Sequence, residues 1–188
     1  EKLSGDSIPP SAENQDYSSD RENCAYTIGN NLFVNYKGKN IAITNDKNED
    51  IVNGQSVHRN EFGIVKGIFW SPDNSAIAFY RMDQRMVKPY PIVSFTERPA
   101  VSKNIRYPMA GDSSHQVTLG VYNLKEGKTI WLQTGEPKEQ YLTNITWSPD
   151  AKKIYIAVLN RDQNHMKLNV YDAQNGKFLK TRFEEKDD

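Results

Sequence analysis

Apolar and polar residues along this chain alternate in short runs, and one order of runs comes round more than once. Ile68-Phe69-Trp70-Ser71-Pro72-Asp73, followed by Ile77-Ala78-Phe79-Tyr80, is matched by Ile145-Thr146-Trp147-Ser148-Pro149-Asp150, followed by Ile154-Tyr155-Ile156-Ala157. Each copy predicts strand, turn, strand. Proline fixes the backbone angle wanted at the second position of a type I turn, and Asp accepts a local hydrogen bond, so Ser-Pro-Asp between β-rich runs has a mechanism. A weaker third copy is Ser19-Asp20, followed by Cys24-Ala25-Tyr26.

Further strands are predicted after the copies, in the same order. Leu32-Phe33-Val34 and Ile41-Ala42-Ile43 follow the first; Leu168-Asn169-Val170-Tyr171 and Phe178-Leu179, joined by a turn at Asn175-Gly176, follow the last. A unit of about four short antiparallel strands is a propeller blade. No stretch carries a clean 3.6-residue apolar stripe. The expected fold is therefore all-β, a partial β-propeller of about three antiparallel blades over residues 19–188. Residues 1–18 read as a polar linker or the remnant of a preceding blade.

Spacing locates an enlargement. Ser19 and Ser71 are 52 residues apart, whereas Ser71 and Ser148 are 77 apart, against roughly 40 to 50 residues for one blade. The excess is placed between about residues 83 and 116. There Pro89, Pro91, Pro99 and Pro108 are expected to interrupt strand pairing, while Met82, Met86, Val87, Ile92, Val93 and Phe95 supply apolar surface. It reads as a surface loop or as an arm that packs on a partner. Three blades cannot close a ring, which needs about four to eight, so the chain reads as a fragment, with a self-contained small β-domain as the alternative.

Composition narrows the function. The 188 residues suit one domain with a real core. Twenty-four basic residues cancel 24 acidic ones, and no run of Lys or Arg could track a phosphate backbone or an anionic membrane, so nucleic acid is excluded as a partner and no membrane contact is expected. Cys24 is alone, forms no intrachain disulfide, and reads as a strand's buried face rather than as a nucleophile. Glu1 to Pro10 lacks the order of a signal peptide, and no apolar run approaches the roughly 20 residues of a membrane span.

Other chemistry-bearing residues are few. His58, His115 and His165 stand far apart without a carboxylate or Cys at ligand spacing, so surface or turn roles are expected, with no metal and no cofactor. Trp70, Trp131 and Trp147 are expected in the core. Arg81 and Asp83, two apart on one strand, share a face and are expected to pair. Asn144-Ile145-Thr146 fits a glycosylation sequon but is discounted, because Ile145 falls in a predicted buried strand. Glu61 alone reads as a solvated loop carboxylate.

The runs Asn60-Glu61-Phe62-Gly63-Ile64, Phe69-Trp70-Ser71-Pro72-Asp73, Ile77-Ala78-Phe79-Tyr80, Tyr107-Pro108-Met109-Ala110-Gly111 and Val117-Thr118-Leu119-Gly120-Val121 resemble, in order and spacing, the N-terminal propeller of dipeptidyl peptidase IV-like serine peptidases of the prolyl oligopeptidase superfamily. The resemblance covers about residues 24 to 183. It implies a non-catalytic segment: the Ser-Asp-His triad of that family lies in a separate C-terminal α/β-hydrolase domain, and this sequence has no Gly-x-Ser-x-Gly element. In the family the propeller gates access and holds the substrate's free ammonium group on two glutamates of a short helical segment, so that N-terminal Xaa-Pro or Xaa-Ala dipeptides are released.

By that resemblance the second glutamate is Glu61 and the first position is Asn60, an acceptor without charge, which leaves one carboxylate where the family has two. The implied partners are peptides with a free N-terminus, the hydrolase domain, and a second copy through the 83–116 insertion; the implied location is exported, with any signal outside this chain. The competing class is a non-enzymatic propeller that binds proteins or ligands through its loops.

Overall fold

The computed structural model describes residues 6–187; residues 1–5 of the expected linker and Asp188 lie outside them. Three antiparallel sheets follow one another along the chain. The first holds β1 (Glu13–Tyr17), β2 (Cys24–Ile28), β3 (Asn31–Tyr36) and β4 (Lys39–Ala42), in that order. The third holds β12 (Gln140–Trp147), β13 (Lys153–Asn160), β14 (His165–Asp172) and β15 (Phe178–Lys186). Between them lies a larger sheet of β5 (Ile51–Asn53), β6 (Ile68–Trp70), β7 (Ala76–Asp83), β10 (Gln116–Asn123) and β11 (Lys128–Trp131). Sequential strands pair with their neighbours and the sheets do not close on one another, as a partial propeller of three blades requires.

The repeated turn is built alike in all three blades. Ser18, Ser71 and Ser148 each donate a side-chain hydrogen bond to the Asp two residues on, at 2.5, 2.6 and 2.5 Å. Each serine Oγ also accepts the N–H of the residue five on, at 3.0, 2.9 and 2.9 Å. The first copy is thus centred on Ser18, one residue earlier than expected, and Glu13–Tyr17 forms the first strand of its sheet where a linker or blade remnant was expected. The preceding aromatic stitches neighbouring blades together. Trp70 Nε1 donates to the Asp16 carbonyl of β1 at 3.0 Å, and Trp147 Nε1 donates to the Phe69 carbonyl of β6 at 3.1 Å. Tyr17 holds the corresponding place in the first copy.

The core lies between sheets. Along β7, Ala76, Ala78 and Tyr80 face the third blade, packing with Leu119, Leu142 and Ile156, while Ile77 and Phe79 face the first, packing with Leu32 and Val34. Alternate residues of a strand point to opposite faces, so a strand covered on both sides is apolar throughout, as Ala76–Tyr80 is. Trp70 and Trp147 are partly buried, but Trp131 is 43% exposed. It ends the edge strand β11, where one side has no neighbour, and it lies edge-on to Phe79.

Two other expectations are corrected. Arg81 and Asp83 do not pair: Arg81 reaches Asp46 at 3.1 Å, and Asp83 accepts from Arg85 at 2.6 Å. Asn144 is exposed at a bulge between Thr143 and Thr146, with φ of 54°, so burial does not remove the sequon.

Residues 83–116 leave the sheet as an arm. β8 (Pro89–Ser94) and β9 (Val101–Arg106) form a two-stranded antiparallel hairpin apart from the blades. Pro89 and Pro91 lie inside β8 rather than breaking it. Being two residues apart, they put their missing donors on one side of the strand, and a two-stranded ladder has a side that needs none. Tyr90, Ile92, Val93 and Phe95 are exposed on the arm. Arg106 fastens its return, with a two-pronged ion pair to Asp50 at 3.0 and 2.6 Å and a bond to the Val87 carbonyl at 2.6 Å.

Candidate functional site

The first strand of the middle blade is split, and the split creates the site. β5 pairs with Arg81–Asp83 and β6 with Ile77–Phe79, so residues 54–67 loop out opposite Tyr80 alone. Gly54 N–H donates to the Tyr80 carbonyl at 2.8 Å, and Tyr80 N–H donates to the Gly67 carbonyl at 3.0 Å. The two limbs of the excursion touch at this neck. A Cβ on Gly67 would lie 2.1 Å from the Gln55 carbonyl oxygen, so only glycine lets the backbones approach so closely.

At its far end the excursion carries the 3₁₀-type segment His58–Gly63. His58, Arg59, Asn60 and Phe62 have φ between 52° and 61°, a left-handed run where the resemblance implies a short helix. Non-glycine residues there cost roughly 1 kcal/mol or more each and persist only where surrounding structure fixes them. The Asn60 and Ile64 N–H groups donate to the Val57 and Glu61 carbonyls at 3.1 and 3.0 Å. Ser56 Oγ lies within hydrogen-bonding distance of Asn60 Oδ1 and of the Ile64 carbonyl. Phe62 and His58 both pack on the Tyr141 ring, at 4.9 and 5.0 Å between centroids.

Glu61 and Asn60 are both exposed and line adjoining hollows that share His58, Arg59 and His115. Glu61 lines one with Arg59, Tyr107, Met109, Tyr141 and Arg161; Asn60 lines another with Ser56, Gln84 and Arg106. Asn60 Oδ1 lies against Ser56 Oγ. Around Glu61 the walls are fixed. The Arg59 guanidinium lies 5.3 Å from the Tyr107 ring centre and donates to the Arg106 carbonyl at 2.7 Å. Arg161 is held by Glu139 and by the Asp112 carbonyl, and Glu139 also accepts the Ser114 N–H at 3.0 Å. Blade three and the arm's return thereby build one wall.

Beneath the segment is a contact that the sequence hides. His58 Nδ1 lies 2.9 Å from His115 Nε2, and both side chains are buried. The surface or turn roles expected of these two do not hold; His165 pairs with Glu184 at 2.6 Å. Arg59, Tyr107, Glu139, Tyr141 and Arg161 were likewise not singled out for the site. Tyr107 lies in a motif of the resemblance, whereas the others meet only through tertiary structure. No cluster of three or more metal-ligating side chains occurs among the described residues, and no helix among them is long and apolar enough to cross a membrane.

A larger cleft of 520 Å³ lies elsewhere, among Asp73, Asn123, Trp147, Asp150 and Lys152. At Asp73 burial pushes the carboxyl pKa up but is outweighed by hydrogen bonds from Ser71 and Ser75, and at Asp150 the Ser148 bond leads, so both are lowered on balance. That cleft holds Ala151, with φ of 56°, and the Glu126 carboxylate, but no run of left-handed residues like His58, Arg59, Asn60 and Phe62, so the Glu61 hollow is the candidate site.

Comparison with known proteins gives a consistent result. The family model described as the dipeptidyl peptidase IV (DPP IV) N-terminal region matches residues 3–188. A crystal structure of a protein assigned as a dipeptidyl aminopeptidase IV, from Bacteroides ovatus, superposes with a TM-score of 0.87 at 51% identity, covering 95% of this chain and 25% of that one. Porphyromonas gingivalis dipeptidyl peptidase 4 superposes with a TM-score of 0.83 at 23% identity, over 92% of this chain and 25% of that one, which speaks to fold alone. Dipeptidyl aminopeptidase A of Saccharomyces cerevisiae is 28% identical over 84% of this chain and 18% of its own length. A Pyrenophora tritici-repentis protein assigned as dipeptidyl-aminopeptidase B is 26% identical over 96% of this chain and 24% of its own. The chain thus spans between 18% and 25% of the length of these relatives.

Proposed function

The chain belongs to the dipeptidyl peptidase IV N-terminal region family, and from that premise we propose that it is the non-catalytic propeller part of an exported serine exopeptidase, which gates access and anchors the free N-terminus of peptide substrates on Glu61. The hydrolytic triad belongs to a C-terminal α/β-hydrolase domain. What carries the reading is the placement of Glu61: an exposed carboxylate on a strained segment projecting from a blade's first strand, in a hollow whose other charged groups are held by partners. A carboxylate fixed at a known distance from the scissile bond measures off the product length, because only a chain terminus carries an ammonium group there. Asn60 braces the segment through Ser56 and adds no charge, so one carboxylate does the anchoring. The arm, with Tyr90, Ile92, Val93 and Phe95 exposed, is the surface for a second copy.

In the full-length enzyme, Glu61→Gln removes the charge but keeps the shape. A charge-assisted hydrogen bond is worth about 1.5–3 kcal/mol, so kcat/KM for free-N-terminus peptides is expected to fall ~10- to 100-fold, chiefly through KM. An unchanged KM removes Glu61 from the site. The isolated chain should not hydrolyse an Xaa-Pro chromogenic substrate; turnover by the pure chain would show that it holds its own nucleophile.

A further inference from the structure

The two histidines under the Glu61 segment form a relay with a fixed direction. The Leu142 amide donates to His58 Nε2 at 3.3 Å, and an amide N–H can only donate. His58 Nε2 is therefore bare, and the neutral ring carries its proton on Nδ1. That proton points at His115 Nε2, 2.9 Å away, which leaves the His115 proton on Nδ1. A proton added to either ring at the shared contacts sets two donors face to face.

The surroundings also oppose a charge. Burial, then the neighbouring His115, lower His58 to about 3. Burial, then the Arg59 and Arg161 cations, lower His115 to about 4, with Glu139 opposing them. Glu139 is already engaged by Arg161 and the Ser114 N–H. Tyr141 presents a ring to His58, and Glu61 shares the hollow above. The relay joins the excursion to β12 on one side and to the arm's return on the other, so it ties down the strained segment from two directions.

We propose that His58 and His115 are positioning residues that latch the Glu61-bearing segment only while both rings are neutral, so that mild acid releases the segment and with it the anchor for the peptide N-terminus. This deepens the amine-anchoring reading and rests on it. The latched state excludes protons, whereas released rings take them up near the ordinary imidazole pKa of about 6.5. Latching is thus complete above that value and weakens as pH falls below it, by ~30-fold per ring at about pH 5 and ~1000-fold for the pair.

The test compares the full-length wild-type enzyme with the double variant His58→Gln/His115→Gln. A glutamine at 58 can accept the Leu142 N–H through its oxygen and pass a donor to the oxygen of a glutamine at 115, so the relay keeps its direction without titrating. Between about pH 7 and pH 5, wild-type KM for a free-N-terminus peptide is expected to rise ~5-fold or more, and the variant's KM to change less than ~2-fold, whatever its value at neutrality. Titration outside the two rings, the substrate amine's included, acts on both enzymes and cancels. Parallel KM profiles overturn the latch. Where the double variant does not fold, His115→Gln alone should flatten the profile by about half on the same reasoning, and an unaltered slope overturns the proposal. Ring-nitrogen NMR resonances supply a readout that needs no activity: at about pH 6 both rings should be neutral, with the His58 proton on Nδ1. A protonated ring there sinks the latch; neutral rings beside a silent Glu61→Gln variant sink the anchor reading instead.

Discussion

Gly67→Ala is expected to lower stability by about 3 kcal/mol or more, at the upper end for overpacking, because the atoms in the way are backbone. The new methyl would sit 2.1 Å from the Gln55 oxygen, 2.4 Å from its carbonyl carbon and 2.5 Å from its nitrogen. A side chain could swing aside; a limb of the neck must move bodily. Moving it strains both Tyr80 hydrogen bonds and displaces the Glu61 segment, so on the proposed anchoring role kcat/KM of the full-length protein should fall ~30-fold or more along with stability. Gly63→Ala is the control. Its φ of 70° is unfavourable but a methyl there meets open space, so a cost of only about 1 kcal/mol is expected. Thermal unfolding of the two variants decides it: equal losses would mean that the neck does not constrain the excursion.

Tyr80→Ala should cost about 3–5 kcal/mol by emptying the volume between blades two and three, lowering the melting temperature by about 10 °C. Tyr80 is 1% exposed, and its hydroxyl donates to the Leu142 carbonyl at 2.6 Å while Phe69 meets its ring edge-on at 5.5 Å. Burial holds its phenol well above the ordinary pKa, so it stays a donor. Tyr80→Phe separates the two contributions. It keeps the packing, leaves the Leu142 carbonyl short of one partner, and should cost about 1–2 kcal/mol. Calorimetry in which the phenylalanine variant is as damaged as the alanine one would transfer the weight from packing to the hydrogen bond.

Local chemistry was legible in the sequence, and long-range chemistry was not. The Ser-Pro-Asp turns could be read because every bond they make closes within five residues. The all-β, three-blade order followed from their recurrence. The slip from Ser18 to Ser19 arose because two serines stand together and only the geometry says which one caps the turn. Arg81 looked paired with Asp83, two residues away, yet it reaches Asp46 across 35 positions; the chain records which residues share a face, not what the neighbouring strand brings. His58 and His115 meet across 57 positions, and their spacing carries no ligand or catalytic pattern. Trp131 was misread because apolar character shows a strand but not whether that strand lies at an edge. Of the candidate site, Glu61 was legible only through the resemblance, and the hollow it lines only through the fold.

The indole bonds between blades all run one way. Trp70 donates a hydrogen bond to β1 and Trp147 donates one to β6, so in both contacts the later blade donates to a carbonyl that precedes it in the chain. During synthesis, a blade emerging from the ribosome finds its acceptor already made and waits for nothing downstream to lock this contact. The array can therefore be added to in the order in which it is translated, one docked blade at a time.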